Sequence, residues 1–161
     1  MSKIYIIGIV ATGKTTFAKD LSFKTSIPWY ELDAIVYTHN GTERYKRSPE
    51  EQIQVISEIN CSGDWIIEGT YRSSCHCLLE IADRVIFLDA PLWKRLFRIF
   101  FRFIKQKLKV EPCHYKSDLK MLLHIYKWTF EVEKSRTDFL AMLNQYSNKL
   151  LTISNSTDYK I

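Results

Sequence analysis

The stretch KIYIIGIVATGKTTFAKDL, residues 3–21, constrains the chain more than any other. The apolar run Ile4-Tyr5-Ile6-Ile7 meets Gly8, and Gly13-Lys14-Thr15-Thr16 follows. This fits the pattern G-x-x-x-x-G-K-[ST], placed between a predicted strand at 3–8 and a predicted helix at about 14–24. The glycines let the backbone curl so that successive N–H groups face one phosphate chain, and the helix N-terminus adds its positive dipole end. The pattern therefore predicts a site for ATP along Gly8, Ala11, Thr12, Gly13, Lys14, Thr15 and Thr16. Lys14 is expected at the β- and γ-phosphates, and the Thr15 hydroxyl on Mg²⁺.

Strand signals recur after this loop. WYELD (29–33), WIIEG (65–69), VIFL (85–88) and KLLTI (149–153) are short apolar runs separated by helical periodicities. Continuous apolar strands alternating with helices predict a parallel sheet covered on both faces. The helix at 14–24 turns Phe17, Ala18 and Leu21 inward, and Ser48-Pro49-Glu50-Glu51 reads as a capping box opening another helix. That helix is expected to be apolar along Ile53, Ile56 and Ile59. YTHNGTERYKR (37–47) reads as a polar, basic loop. At 161 residues the chain is expected to be one α/β domain over 1–161, with 46% hydrophobic and 25% charged residues excluding a disordered chain. No apolar run approaches the roughly 18 residues of a membrane span. No secretory leader is expected either, so the reading is a cytoplasmic protein with no membrane partner.

Acids at strand ends are the candidates for chemistry, because ligands of open parallel sheets lie at the carboxyl ends of the strands. Alternation in the second strand puts Glu31 and Asp33 on one side with Leu32 opposite. One of them is expected to hold a magnesium-bound water and the other to orient or deprotonate an acceptor hydroxyl. At the third strand, Glu68-Gly69 precedes Arg72, an anion site in which glycine permits close backbone approach and arginine offers a planar fork. Both Glu68 and Asp89 suit the magnesium side, Glu68 being preferred as an outer ligand. Arg44 is a candidate for an anionic group of the acceptor, and Asn155, after the last strand, for nucleotide contact. Cys61, Cys75, Cys77 and Cys113 read as reduced thiols, since Cys75 and Cys77 lack zinc-knuckle spacing.

The net charge of +5 is concentrated in one segment. Lys94, Arg95, Arg98, Arg102, Lys105, Lys107 and Lys109 occur with no acid among them. Without those seven, 16 of the 23 basic residues remain against 18 acids. Arg95, Arg98 and Arg102 form one stripe of a predicted helix at about 92–108. Three readings stay open: lid arginines on a transferred phosphoryl group, a solvated basic face, or contact with a polynucleotide or acidic membrane.

Taken together, the phosphate loop, ELDAI, WIIEGTYR and VIFLDAPLWKRLFRIFFRFIKQKL resemble the FlaR-type topology modulation proteins, P-loop NTPases similar to adenylate kinases. The resemblance implies a three-layer α/β/α sandwich, its five parallel strands in the order 2-3-1-4-5. It also implies an acceptor region between strands two and three, here 34–64, and a lid after strand four, here about 94–116. Adenylate kinases carry a proline before the arginine of the third-strand run, whereas this chain reads Glu68-Gly69-Thr70-Tyr71-Arg72. The reading that follows is a kinase transferring the γ-phosphoryl of Mg-ATP to a small acceptor, a nucleotide or nucleoside being the first candidate. Lys14, Asp33, Arg95 and Arg98 are its expected catalytic residues, and Glu31, Asp33, Arg44, Glu68, Gly69 and Arg72 its acceptor side. The alternative is an NTP-binding regulator that contacts nucleic acid through the basic helix. The sequence assigns no oligomeric state.

Overall fold

The computed structural model describes residues 2–40, 43–108, 119–154 and 159. Asn155 and residues 109–116 of the expected lid lie outside the described residues. Five strands form one parallel sheet: β1 (Lys3–Gly8), β2 (Trp29–Glu31), β5 (Trp65–Gly69), β6 (Arg84–Leu88) and β7 (Leu150–Ile153). Their order, β2-β5-β1-β6-β7, is the expected 2-3-1-4-5. Between β2 and β5 run α2 (Leu32–Val36), a hairpin of β3 (Tyr37–Asn40) and β4 (Glu43–Lys46), and α3 (Pro49–Cys61). The remaining helices are α1 (Lys14–Thr25), α4 (Cys77–Ile81), α5 (Leu92–Lys107), α6 (Leu119–Lys134) and α7 (Arg136–Asn144).

The period-2 alternation of a strand explains why the sheet is buried on both faces. On one face, Ile4, Ile6, Ile66, Ile86 and Leu88 pack with Phe17, Ala18 and Leu21 of α1. On the other, Tyr5, Ile7, Trp65, Ile67, Val85 and Phe87 pack under Leu32, Ile56, Leu78, Leu79 and Leu143. β1 lies at the centre and pairs with both β5 and β6. Its registers bring Gly8, Gly69 and Glu31 to the same end of the sheet, with Glu31 level with Glu68.

Local chemistry sets the connections. Ser48 Oγ accepts the Glu51 N–H at 3.2 Å, and the Ser48 N–H donates to the Glu51 carboxylate at 2.7 Å. This reciprocal cap starts α3. The face of α3 differs from the expected Ile53-Ile56-Ile59 stripe: Gln52 and Ile56 are buried while Ile53 is exposed. Burial of Gln52 is tolerated because its amide donates to the Arg47 carbonyl at 2.7 Å and accepts from Ser74 at 2.8 Å. Residues 37–46, read from sequence as a loop, form the β3–β4 hairpin, with Arg47 donating to the carbonyls of Ala34 and Ile35 beneath it. No helix among the described residues is long and apolar enough to cross a membrane.

Arg95 holds the last layer together. It is 1% exposed and donates to Glu133 of α6. Arg136, at the start of α7, pairs with Asp89 at the end of β6 and also approaches Glu133 at 3.8 Å. The chain Arg95–Glu133–Arg136–Asp89 thus ties α5, α6 and α7 to the sheet. Truncating one member of a buried pair leaves the partner uncompensated. Arg95→Ala is expected to destabilise the protein by about 3 kcal/mol, the low end for a buried pair because Glu133 keeps Arg136 nearby. A parental midpoint in urea denaturation would contradict this role.

Candidate functional site

The site begins where β1 ends. Gly8 is required there because a Cβ would lie 2.6 Å from Thr12 Oγ1 and 2.9 Å from the Leu88 carbonyl. The loop then curls through two left-handed residues, Ala11 at φ 59° and Gly13 at φ 96°. Glycine adopts this region freely, whereas Ala11 holds it at a cost of about 1 kcal/mol. Alternation of this kind is what gathers backbone N–H groups around an anion. The curl is tied internally, since Thr12 Oγ1 and Lys14 Nζ both donate to the Ile9 carbonyl at 3.0 Å. Arg98 of α5 adds a clamp from above, donating to the carbonyls of Ala11 at 3.1 Å and Thr12 at 2.8 Å.

Beside the loop lies a cavity of about 230 Å³. Lys14, Thr15 and Thr16 line it together with Glu31, Asp33 and Glu68. The Thr15 hydroxyl donates to Glu68 at 2.7 Å. Burial pushes the Glu68 carboxyl up, against the opposing effects of that hydrogen bond and of Lys14. Burial likewise pushes Lys14 down, against the attraction of Glu68 and Asp33. Two hard oxygens side by side, Thr15 Oγ1 and Glu68, fit the oxygen-only preference of Mg²⁺. Asp89, the other sequence candidate, is instead engaged by Arg136.

Asp33 reaches the cavity by a different route from the one expected. β2 ends at Glu31, and Asp33 stands in the first turn of α2, so strand alternation does not orient it. Leu32 is the reason: its buried side chain fills the space over Gly69, where a Cβ would fall 2.4 Å from Leu32 Cβ. Gly69 therefore permits the close crossing that sets α2, and with it Asp33, over the end of β5. Arg72 follows β5 and donates to Asp33 at 2.8 Å.

The remaining candidates separate. Arg72 and Arg44 both stand over the ring of Tyr37, their guanidinium carbons 5.5 and 4.2 Å from its centroid. Tyr37 has no distinguishing mark in the sequence, because its place depends on the unforeseen hairpin. Arg95, expected beside Arg98 at the transferred phosphoryl group, is taken up by Glu133 and lines neither cavity next to the loop. The residue that does stand there is Arg102, one turn beyond Arg98, which lines both cavities. The second cavity, about 390 Å³, lies between the loop residues Ala11, Thr12 and Gly13 and the α5 residues Phe97, Arg98 and Phe101.

No protein-family model matches the chain, and no curated protein matches it. Solved structures do. The chain is similar to shikimate kinase from Bacteroides thetaiotaomicron, at 14% identity and a TM-score of 0.55 over 96% of this chain and 86% of that one. It is similar to a gluconokinase from Sinorhizobium meliloti 1021, at 17% identity and a TM-score of 0.50 over 80% and 74%. A third similar structure is an uncharacterized protein from Eubacterium ventriosum ATCC 27560, at 15% identity and a TM-score of 0.58 over 98% and 92%. With the sheet order and the phosphate loop, these likenesses show that the chain has the P-loop kinase fold.

Proposed function

We propose that the protein is a cytoplasmic kinase that transfers the γ-phosphoryl of Mg-ATP to the hydroxyl of a small acceptor carrying negative charge. The observation that carries this reading is the single cavity shared by Lys14, Thr15, Glu68 and Asp33. It joins a phosphate-binding loop to a carboxylate able to serve a second substrate. Lys14 neutralises charge on the phosphate chain, and the loop N–H groups position it. Mg²⁺, held by Thr15 with Glu68 on its outer side, would supply charge neutralisation between the phosphates. Asp33 orients the acceptor hydroxyl in line and takes its proton late in a loose transition state. Arg98 and Arg102 act from the lid side, on charge that develops during transfer. The unit proposed is one domain over 1–161, its acceptor side at 34–64 and its lid at about 94–116.

Arg44 and Arg72 support an anionic acceptor. Stacking on one ring fixes two guanidinium planes, and a fixed fork suits carboxylate or phosphate. The named structural neighbours are kinases of shikimate and of gluconate, both hydroxy acids, which fits the same class. Nucleotides also belong to it, whereas neutral nucleosides do not. The resemblance to the FlaR-type proteins supports the phosphate-loop and lid parts of this reading. The regulator that binds nucleic acid through the basic helix is less favoured, since Arg95 is buried against Glu133 and Arg98 is engaged by the loop carbonyls. ATP consumption against nucleosides, nucleotides, sugars, sugar phosphates and small hydroxy acids tests the proposal. Turnover is expected with an anionic acceptor, and Arg44→Gln should raise its KM about tenfold with little change in kcat. Consumption that depends on no acceptor, or only on neutral ones, would overturn it.

A further inference from the structure

Part of α5, at Trp93 and Phe100, lines neither cavity at the phosphate loop. Arg98, Arg102 and Lys105 turn toward the loop cavity, and Arg95 and Ile99 pack inward. The adjoining arc carries Trp93, Phe97, Phe100 and Phe101, at the helical spacings of one side, with Phe97 and Phe101 also reaching the rim of the loop cavity, and these large rings are 43–59% exposed. They are ordered among themselves: Trp93 and Phe97 meet edge to face at 6.3 Å, as do Phe100 and Phe101 at 6.1 Å. Trp93, Phe97 and Phe100, together with Leu96 and with Tyr126 of α6, frame an open apolar groove of about 280 Å³. An exposed apolar patch rimmed by charge marks an interaction surface.

Charge identifies what covers it. From Leu92 to Lys107 the helix has six cations and no acid. Lys94, which stands over the Trp93 ring at 5.5 Å, flanks the aromatic arc on one side, and Lys107 flanks it on the other. Long cationic side chains beside an apolar arc can lie along it and present their charge at its rim. We propose that this face of α5 docks on an anionic lipid surface, with the rings in the interfacial region and the lysines among the headgroups. A second copy of the chain is a poorer occupant, because apposing two such helices would bring like charges together. Nucleic acid is also poorer. The rings form an unbroken outward arc, and two of the arginines a phosphate backbone would use are bonded within the protein. Surface docking takes up the acidic-membrane contact left open for this helix, and differs from the expectation of no membrane partner, which rested on the absence of a spanning segment. It is independent of phosphoryl transfer.

The test uses the full chain with vesicles of phosphatidylcholine alone or mixed equally with phosphatidylglycerol. Cosedimentation should show at least ~10-fold tighter binding to the anionic vesicles, weakened by added salt. Tryptophan emission should shift to the blue on binding, as the exposed Trp93 indole enters the interface. Trp93→Ser with Phe100→Ser, neither of which lines the cavities at the phosphate loop, should cut binding at least ~10-fold. The thermal midpoint should stay within a few degrees, because both side chains are exposed. Equal binding to both vesicle types, or parental binding by the double variant, overturns the proposal. So does a chain that ignores vesicles while dimerising through this face in sedimentation velocity, or while binding a DNA duplex.

Discussion

Lys14→Ala is expected to lower phosphoryl transfer by ~10²–10³-fold or more, with the protein still folded. The magnitude follows from removing one preorganised charge aimed at the phosphate chain. Lys14 is well placed for that loss to be specific. Its ammonium is held over the loop by a hydrogen bond to the Ile9 carbonyl at 3.0 Å, and it lines the cavity with Thr15 and Thr16. Burial lowers its pKa, and Glu68 and Asp33 oppose that effect without reversing it. Removing it leaves the buried Glu68 carboxyl without that attraction and pushes its pKa further up. Little packing is lost, because both faces of the core are built from β1 and its neighbours, not from this side chain. Transfer assays beside thermal unfolding measure both parts. A variant that transfers phosphate at the parent rate would remove the basis of the kinase reading.

What the sequence discloses follows the range of each signal. The strand–loop–helix unit at 3–25 was legible because every part is local: apolar run, glycines, then Phe17, Ala18 and Leu21 at helical spacing. The capping box at Ser48 was legible for the same reason. Parallel order was legible from alternation of strands and helices together with the family resemblance. Failures occur where a distant partner decides. Arg95 and Arg98 are alike in sequence, and their fates are set by Glu133 and by the loop carbonyls, 38 and 87 or fewer residues away. Asp89 resembles a magnesium-side acid until Arg136 is seen to occupy it. Ile53 follows the apolar period of α3, yet Gln52 is buried in its stead because Arg47, Ser74 and Cys75 supply hydrogen-bond partners.

Asp33 separates a kinase from an enzyme that merely hydrolyses ATP. Its carboxylate lies at the edge of the cavity that holds Lys14 and Thr15, exposed toward the side where Arg72, Tyr37 and Arg44 stand. Asparagine there keeps the size and one oxygen able to accept from Arg72, but it cannot take a proton. Asp33→Asn should therefore cut transfer to the true acceptor by the ~10²–10⁴-fold typical of general-base loss. ATP affinity should be nearly unchanged, because in the proposed reading the phosphates are bound by the loop and Lys14, which this substitution leaves in place. Stability should change by less than about 1 kcal/mol, since the Arg72–Asp33 pair is solvent-exposed. Slow hydrolysis to water should persist, as water can lose its proton to solvent. Isothermal titration with a non-hydrolysable ATP analogue, run beside the transfer assay, reads both sides of the cavity. Loss of nucleotide binding would move Asp33 to the metal side with Glu68. Unimpaired transfer would instead reduce the Asp33–Arg72 contact to a strut between α2 and the end of β5.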